Sequence, residues 1–257
     1  MSVYNAVAYC TAELLISSCS LADQRALVND LDIIALSALH RRDHRGHELS
    51  CAVIGHRLRS LLRDITDDPD RLLDEMRTQH TILSGSACLV FLTQNKTFIP
   101  ADYDFYCAFQ TFPQFYTFIA TILHGKLIHR TTLHPDLDDP LEMDTDPREL
   151  QQTGLHERCI FLVGNVQVDV MRSATASPVT PLGHCDNTLL VNYVTADVVC
   201  AAYPRSLDDA AAVTASSENT DDHIQLYKNR GYTVFRTPIE YRSETPPGLC
   251  ALHGYCP

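Results

Sequence analysis

The sequence is short of basic residues: 20 Lys and Arg stand against 32 Asp and Glu, for a formal net charge of −12. Displacing counterions from a duplex takes a surplus of cations. A long duplex nucleic acid is therefore excluded as the expected primary ligand, whereas a short RNA end needs only a few basic contacts. Long apolar runs are missing as well. No stretch offers eighteen consecutive apolar residues, so no membrane span is expected. The segment MSVYNAVAYCTAELLISSCSLADQR has no basic leader region and contains Glu13, and it does not read as a secretory signal. With 10 cysteines and no such signal, the expectation is reduced, mostly buried thiols in the cytoplasm or nucleus. The sequon Asn95-Lys96-Thr97 then carries no weight. Also absent are a G-x-S-x-G elbow, a P-loop, a dinucleotide fingerprint and H-E-x-x-H.

What is present reads as a globular chain. Its 257 residues, 45% hydrophobic and 20% charged, suffice for one large domain or two small ones. Apolar residues at helical spacing (Leu27, Leu31, Ile34, Leu36, Leu39), with Asp23 in the first turn, predict a helix over 21–42. A second helix follows a break at Gly46, and DPDRLLDEMRTQH, opened by an aspartate cap and a proline, gives a third. His40, His44 and His47 cluster near the first break, where their arginine neighbours disfavour a metal and favour a solvated helix junction. The periodicity then changes. TILSGS reads as a short strand and ACLVFL as helix. DYDFYCAF has the two-residue alternation of a strand with one wet face, and FPQFYTFIATIL is a helix entered at Pro113. KLIHRTTL and HERCIFLVGNVQVDVMRS supply further strands, the latter a hairpin turning at Gly164-Asn165.

HPDLDDPLEMDTDPREL reads as an exposed acidic insertion without the spacing of a calcium loop. From PLGHCDNTLLVNYVTADVVCAAYP onward the pattern is helical, with a last helix and a short strand in DDHIQLYKNRGYTVFR. The fold class expected is α+β. A helical lead (1–78) precedes a small mixed-sheet core (79–175), a helical C-terminal part (176–245) and a tail (246–257). In the tail, Cys250, His253 and Cys256 have the spacing of zinc ligands, set against the plainer reading of a loosely ordered end.

The stretch SGSACLVFLTQNKTFIPADYDFYC carries the chemistry. Residues two apart on a strand face the same way, so Asp102 and Asp104 aim paired carboxylates at one spot. Two like charges side by side resist ionising together, and a divalent ion removes that cost. Magnesium favours a few carboxylates together with phosphates and water. Gly85 and Ser86 offer the phosphate cradle, because glycine admits a close backbone and the amides opening the next helix point at an anion. Asp169, between Val168 and Val170 in VQVDVMR, offers a third carboxylate if its strand neighbours the first. Three acids around two ions about 3.5–4 Å apart suit phosphoryl or nucleotidyl transfer. Cys88, after the turn, reads as a buried helix thiol rather than a nucleophile.

In order and kind these residues resemble the nucleotidyltransferase fold of the DNA polymerase beta superfamily, over roughly residues 80–175. Together with CDNTLLVNYVTADVVCAAYP and LYKNRGY, they are also similar to nucleotidyltransferase-like proteins of mushroom-forming fungi, over about 75–235. The resemblance implies that Gly85 and Ser86 hold the triphosphate of an NTP such as ATP. It implies that Asp102 and Asp104 bind two Mg²⁺ (or Mn²⁺) ions, and that Asp169 binds the catalytic ion and helps deprotonate the attacking hydroxyl. The acceptor would be a hydroxyl on a small molecule, a protein or an RNA end. Arg172 and Lys228, then Lys126, Arg130 and Arg230, are candidate cations for triphosphate or acceptor. With fifteen residues between Ser86 and Asp102, TQNKTFIPA must be an extended loop. The flanks 21–78 and 186–230 are expected to wall the cleft. A descendant that kept the fold as a non-catalytic nucleotide-binding or protein-interaction module is the alternative.

Overall fold

The computed structural model describes residues 28–29, 31–94, 97–132, 152–185, 187–214 and 220–244. Asp23 and Leu27, most of the acidic insertion, and Cys250, His253 and Cys256 in the tail lie outside the described residues.

Among the described residues three helices come first: α1 (Ile33–His40), α2 (His44–Leu62) and α3 (Pro69–Thr78). Aspartate caps set all three starts, each carboxylate accepting from the amide three residues on: Asp32 from Ala35, Asp43 from Gly46, and Asp68 from Arg71. The break expected at Gly46 therefore falls at least three residues earlier, at Arg41–Asp43. Gly46 sits inside the first turn of α2, where a Cβ would come 2.2 Å from the Leu39 carbonyl oxygen. Its role is close helix–helix approach, not termination.

Strand β1 (Ile82–Ser84) runs directly into α4 (Gly85–Thr93); then come β2 (Asp102–Cys107) and α5 (Phe112–Thr117), continued by a π-turn to Ile122. Strands β3 (Lys126–Thr132), β4 (Leu155–Val163) and β5 (Val166–Ser173) follow, with the β4–β5 hairpin closing at Val163 opposite Val166, as the Gly164-Asn165 signal predicts. The segment expected to return to helix does so, among the described residues, only in a 3-10 turn at Thr180–His184. Instead β6 (Tyr193–Val194) pairs with β1 through Leu83 and Val194, and β7 (Val199–Cys200) pairs with β6. After α6 (Pro204–Asp208), β8 (Ala211–Val213) and β9 (Thr233–Phe235) form a parallel pair around α7 (Thr220–Asn229), and α8 (Pro238–Glu244) ends the described chain. The runs YV, VVC and AAV are short and rich in β-branched residues. They lie too close to turn residues to sustain helical spacing; β1 offers an edge to β6, β6 to β7, and β8 pairs with β9 instead.

The class is α+β. Among the described residues the main sheet has seven strands in the order β3-β4-β5-β2-β1-β6-β7, antiparallel except for the parallel β2–β5 pair. One face is dry. Tyr103, Phe105, Cys159, Phe161, Val168 and Val170 join Leu58, Leu62, Leu72, Met76, Leu89, Leu92 and Phe115 of the helices in one apolar cluster. The Tyr103 hydroxyl donates to Asp64 at 2.6 Å, tying this face to the end of α2. Among the described residues no helix is long and apolar enough to cross a membrane.

Candidate functional site

The site stands on the other face. Along β2, Tyr103, Phe105 and Cys107 are buried while Asp102, Asp104 and Tyr106 between them are half-buried. β5 lies parallel beside it with Asp169 opposite Asp104 and Gln167 opposite Asp102. The parallel register makes cross-strand neighbours of residues far apart in the chain. One carboxylate oxygen from each of Asp102, Asp104 and Asp169 lies within 4.8 Å of the other two.

Gly85 and Ser86 join them. Gly85 has φ +67°, a left-handed conformation that glycine adopts freely, and a Cβ there would meet Asp104 Oδ2 at 1.9 Å. Backbone and carboxylate thus share a space that no other residue type leaves free. Ser86 is buried and its hydroxyl donates to Asp102 Oδ1 at 3.4 Å. Ser84, immediately before, does not cap α4; its hydroxyl donates to the carbonyls of Leu190 (3.0 Å) and Asn192 (2.6 Å). That bond pins the C-terminal part beside the site.

The charges are unbalanced. Burial first, then the charges of Asp102 and Asp169, pushes the Asp104 carboxyl up to about 8, with Arg158 opposing. Burial and the Asp169 charge also raise Asp102, while Arg158, the Ser86 hydroxyl and Arg230 hold it down. Asp169 is fully buried but well partnered. Its Oδ2 accepts from Arg158 Nε at 3.0 Å and from a terminal nitrogen of the same guanidinium, and its Oδ1 accepts from Gln167 at 2.9 Å. Arg158 is thus the cation in direct contact with a cluster of three acids. Burial raises the Tyr106 and Tyr227 hydroxyls, Tyr227 to about 12, and the charge of Asp104 adds to both. The C-terminal part therefore reaches the acids.

The expected cations fare differently. Arg172 is on the dry face, where it donates to the Phe109 carbonyl at 2.9 Å, lies over the Phe109 ring at 3.8 Å and pairs with buried Glu157. Arg130 pairs with the same glutamate at 2.8 Å. Both stand one strand position out of phase with Asp169, so neither faces the acids. Lys126 starts the edge strand β3, and Lys228 is exposed on α7. Arg230, over the Phe98 ring at 4.4 Å, is the expected cation whose charge is felt at Asp102. Arg158 and Gln167 were not anticipated. Counting back from the Gly164-Asn165 turn puts Arg158 on the face of Asp169, and that register was the available signal.

The expected walls are half right. The N-terminal helices pack on the dry face, and with the β6–β7 hairpin α1–α3 line a separate cavity of about 1020 Å³ that none of the three aspartates touches. Cys88 is fully buried, with its thiol pushed up by that burial, as a structural cysteine would be. No family model matches the chain, and neither a curated protein nor a solved structure matches it.

Proposed function

We propose that this chain is a divalent-metal-dependent nucleotidyltransferase that moves a nucleotidyl group from an NTP to a hydroxyl acceptor. The observation that carries the reading is the convergence of Asp102, Asp104 and Asp169 on the face where Gly85 and Ser86 also stand. The donor set fits Mg²⁺: three carboxylates, hard oxygen ligands only, with more negative charge than Arg158 can offset. Asp102 and Asp104 would hold the ions with Asp169. Bound there, the metal would neutralise charge developing on the transferring phosphoryl oxygens.

The chain's own groups divide the remaining work. Gly85 leaves room for the Asp104 carboxylate against the backbone, and the first amides of α4 lack partners within the helix and suit an anion such as the triphosphate. In the transfer, the acceptor oxygen bonds to the α-phosphorus, the α–β anhydride bond breaks and pyrophosphate leaves. Asp169 Oδ2 receives the acceptor's proton once Arg158 turns away from it. Arg230 and Tyr227 border the acceptor side. A second reading has a specific observation behind it: Arg158 already supplies a cation to Asp169, as expected of a nucleotide-binding or protein-interaction module that has given up catalysis.

Pyrophosphate release from each NTP, with and without Mg²⁺, tests the proposal, with Asp104→Asn as control. Metal-dependent release that the variant abolishes supports transfer. Nucleotide binding without turnover favours a nucleotide-binding module, and neither binding nor turnover refutes transfer and leaves the protein-interaction module.

A further inference from the structure

A second ligand cluster lies far from the aspartates, at the junction of α1 and α2. His47 and Cys51 stand one turn apart on α2, the i,i+4 spacing that puts two ligands on one helix face. The tight Arg41–Asp43 turn returns the last residue of α1, His40, to the same spot. One ligand atom from each of His40, His47 and Cys51 lies within 4.8 Å of the other two. His44, grouped with His40 and His47 by the sequence, points elsewhere and sits 3.6 Å from Glu48. Cys51 takes its place, which changes the chemistry from a basic histidine patch to a thiolate with two imidazoles.

The hydrogen bonds fix the tautomers. The Ser50 hydroxyl donates to the His47 carbonyl at 2.9 Å, so its oxygen is the acceptor for His40 Nδ1 at 3.1 Å. With its proton on Nδ1, His40 carries its lone pair on Nε2. That pattern, in which a ligand histidine's other nitrogen is held by a buried oxygen, is how metal sites orient their imidazoles. His40 Nε2 meets His47 Nδ1 at 3.1 Å, while Cys51 Sγ lies 3.8 Å from the other nitrogen of that ring, Nε2, and 3.9 Å from His40 Nδ1. Bonds of about 2.0–2.1 Å to nitrogen and 2.3 Å to sulfur put tetrahedral ligand atoms roughly 3.4–3.6 Å apart. Turning the His47 ring, so that a single nitrogen meets the ion beside His40 Nε2 and Cys51 Sγ, brings the 4.8 Å cluster to that arrangement. The local positive charge is partly met already, since Arg42 pairs with Asp43 at 3.2 Å.

We infer that His40, His47 and Cys51 form a zinc site with three protein ligands and an open fourth position. His40 and Cys51 also line the 1020 Å³ cavity between α1–α3 and the β6–β7 hairpin. The open position faces that cavity, so a water or a small ligand in it completes the tetrahedron. The site is independent of the aspartates and stands whether or not nucleotidyl transfer does.

Cobalt(II) is the probe, added to the full-length chain under reducing conditions. A tetrahedral site with one thiolate gives intense visible d–d bands and a near-ultraviolet sulfur-to-cobalt band, which zinc then bleaches. To silence the tail cysteines, the measurement is made in a C250S/C256S background and repeated with C51S or H47A added. Both extra substitutions are at exposed positions, and melting curves without metal check that they leave the fold alone. Loss of the sulfur band in C51S and at least a 100-fold weaker zinc affinity in H47A are expected. Ser50→Ala should cost about 10- to 100-fold while the spectrum stays tetrahedral. Absence of the bands in the C250S/C256S background, or their survival in C51S, overturns the inference.

Discussion

Asp104→Asn separates what the acid cluster costs the fold from what it would do for a ligand. The change keeps the side chain's shape and removes a charge that the folded chain accommodates poorly. The folded environment carries this carboxyl from 3.8 to about 8. At about 1.36 kcal/mol per pH unit, the full linkage is on the order of 6 kcal/mol. Asp104 is half-buried and shares its burden with two other acids, so an effective dielectric well above that of a dry interior leaves about 2–3 kcal/mol observable. The sign follows from the direction. A carboxyl whose folded value is raised keeps its proton longer in the folded state. The penalty is absent below 3.8, grows between 3.8 and about 8, and is complete above. Wild-type stability should therefore fall across that window relative to the variant. Above pH 8, urea melts should find Asp104→Asn the more stable by about 2–3 kcal/mol. Mg²⁺ should close that gap. A ligand at a hundred times its dissociation constant adds about 2.7 kcal/mol to the protein that binds it, and only the wild type should gain. Its Mg²⁺ affinity should rise with pH up to about 8, because below that value the ion must displace the proton on Asp104. A variant with the wild-type pH profile and the wild-type Mg²⁺ response would refute both the repulsion and the metal reading.

Gly85→Ala should cost about 1 kcal/mol or more from the left-handed backbone alone. Its Cβ would also displace the Asp104 carboxylate, so thermal shifts with Mg²⁺ and NTP should disappear although the protein still melts cooperatively. Arg158→Gln leaves the buried Asp169 charge without its ion pair, a loss of about 3–5 kcal/mol. Mg²⁺ should restore part of that, giving a larger metal-induced melting shift than in the wild type; an equal or smaller shift would show that Arg158 is not standing where a cation belongs. Glu157→Gln removes the buried carboxylate that Arg130 and Arg172 share on the dry face and should destabilise the fold, by less than Arg158→Gln because Arg172 keeps its Phe109 contacts. The Mg²⁺-induced shift should stay unchanged, since none of the three residues faces the acids.

The parts of the fold that could be read from sequence are those governed by local rules. The aspartate caps and Pro69 fix helix starts whatever surrounds them, and the alternation in DYDFYC is the two-residue period of a strand with a dry side. Gly46 misled because its role is tertiary: it is small so that the Leu39 carbonyl can approach, and a sequence shows the missing side chain but not its neighbour. The C-terminal strands misled for a related reason. Two- and three-residue runs have too few positions to display any period, and β6 exists because β1 presents an edge to it. Arg172, a candidate cation for triphosphate or acceptor, stands on the dry side opposite Cys107. A position three residues from Asp169 on a strand necessarily faces away from it.

That same parity makes the site. Along any strand of this sheet the residues divide into two sets that never meet, and the apolar set is claimed by α2–α5. Whatever remains on the other set is left to the site. An antiparallel hairpin would bring β5 beside a sequence neighbour, as it does with β4, and the partner of Asp169 there is Ile160. The parallel pairing with β2 sets it against Asp104 instead. An apolar partner would leave Asp169 a single buried charge held by Arg158 and Gln167. With Asp104 opposite and Asp102 one step away, the same residue becomes part of a cluster too negative for its own cation. Repulsion of that kind opposes the fold at neutral pH, and a bound divalent ion would relieve it. The weakest point in the sheet's electrostatics and the proposed metal position are therefore the same place.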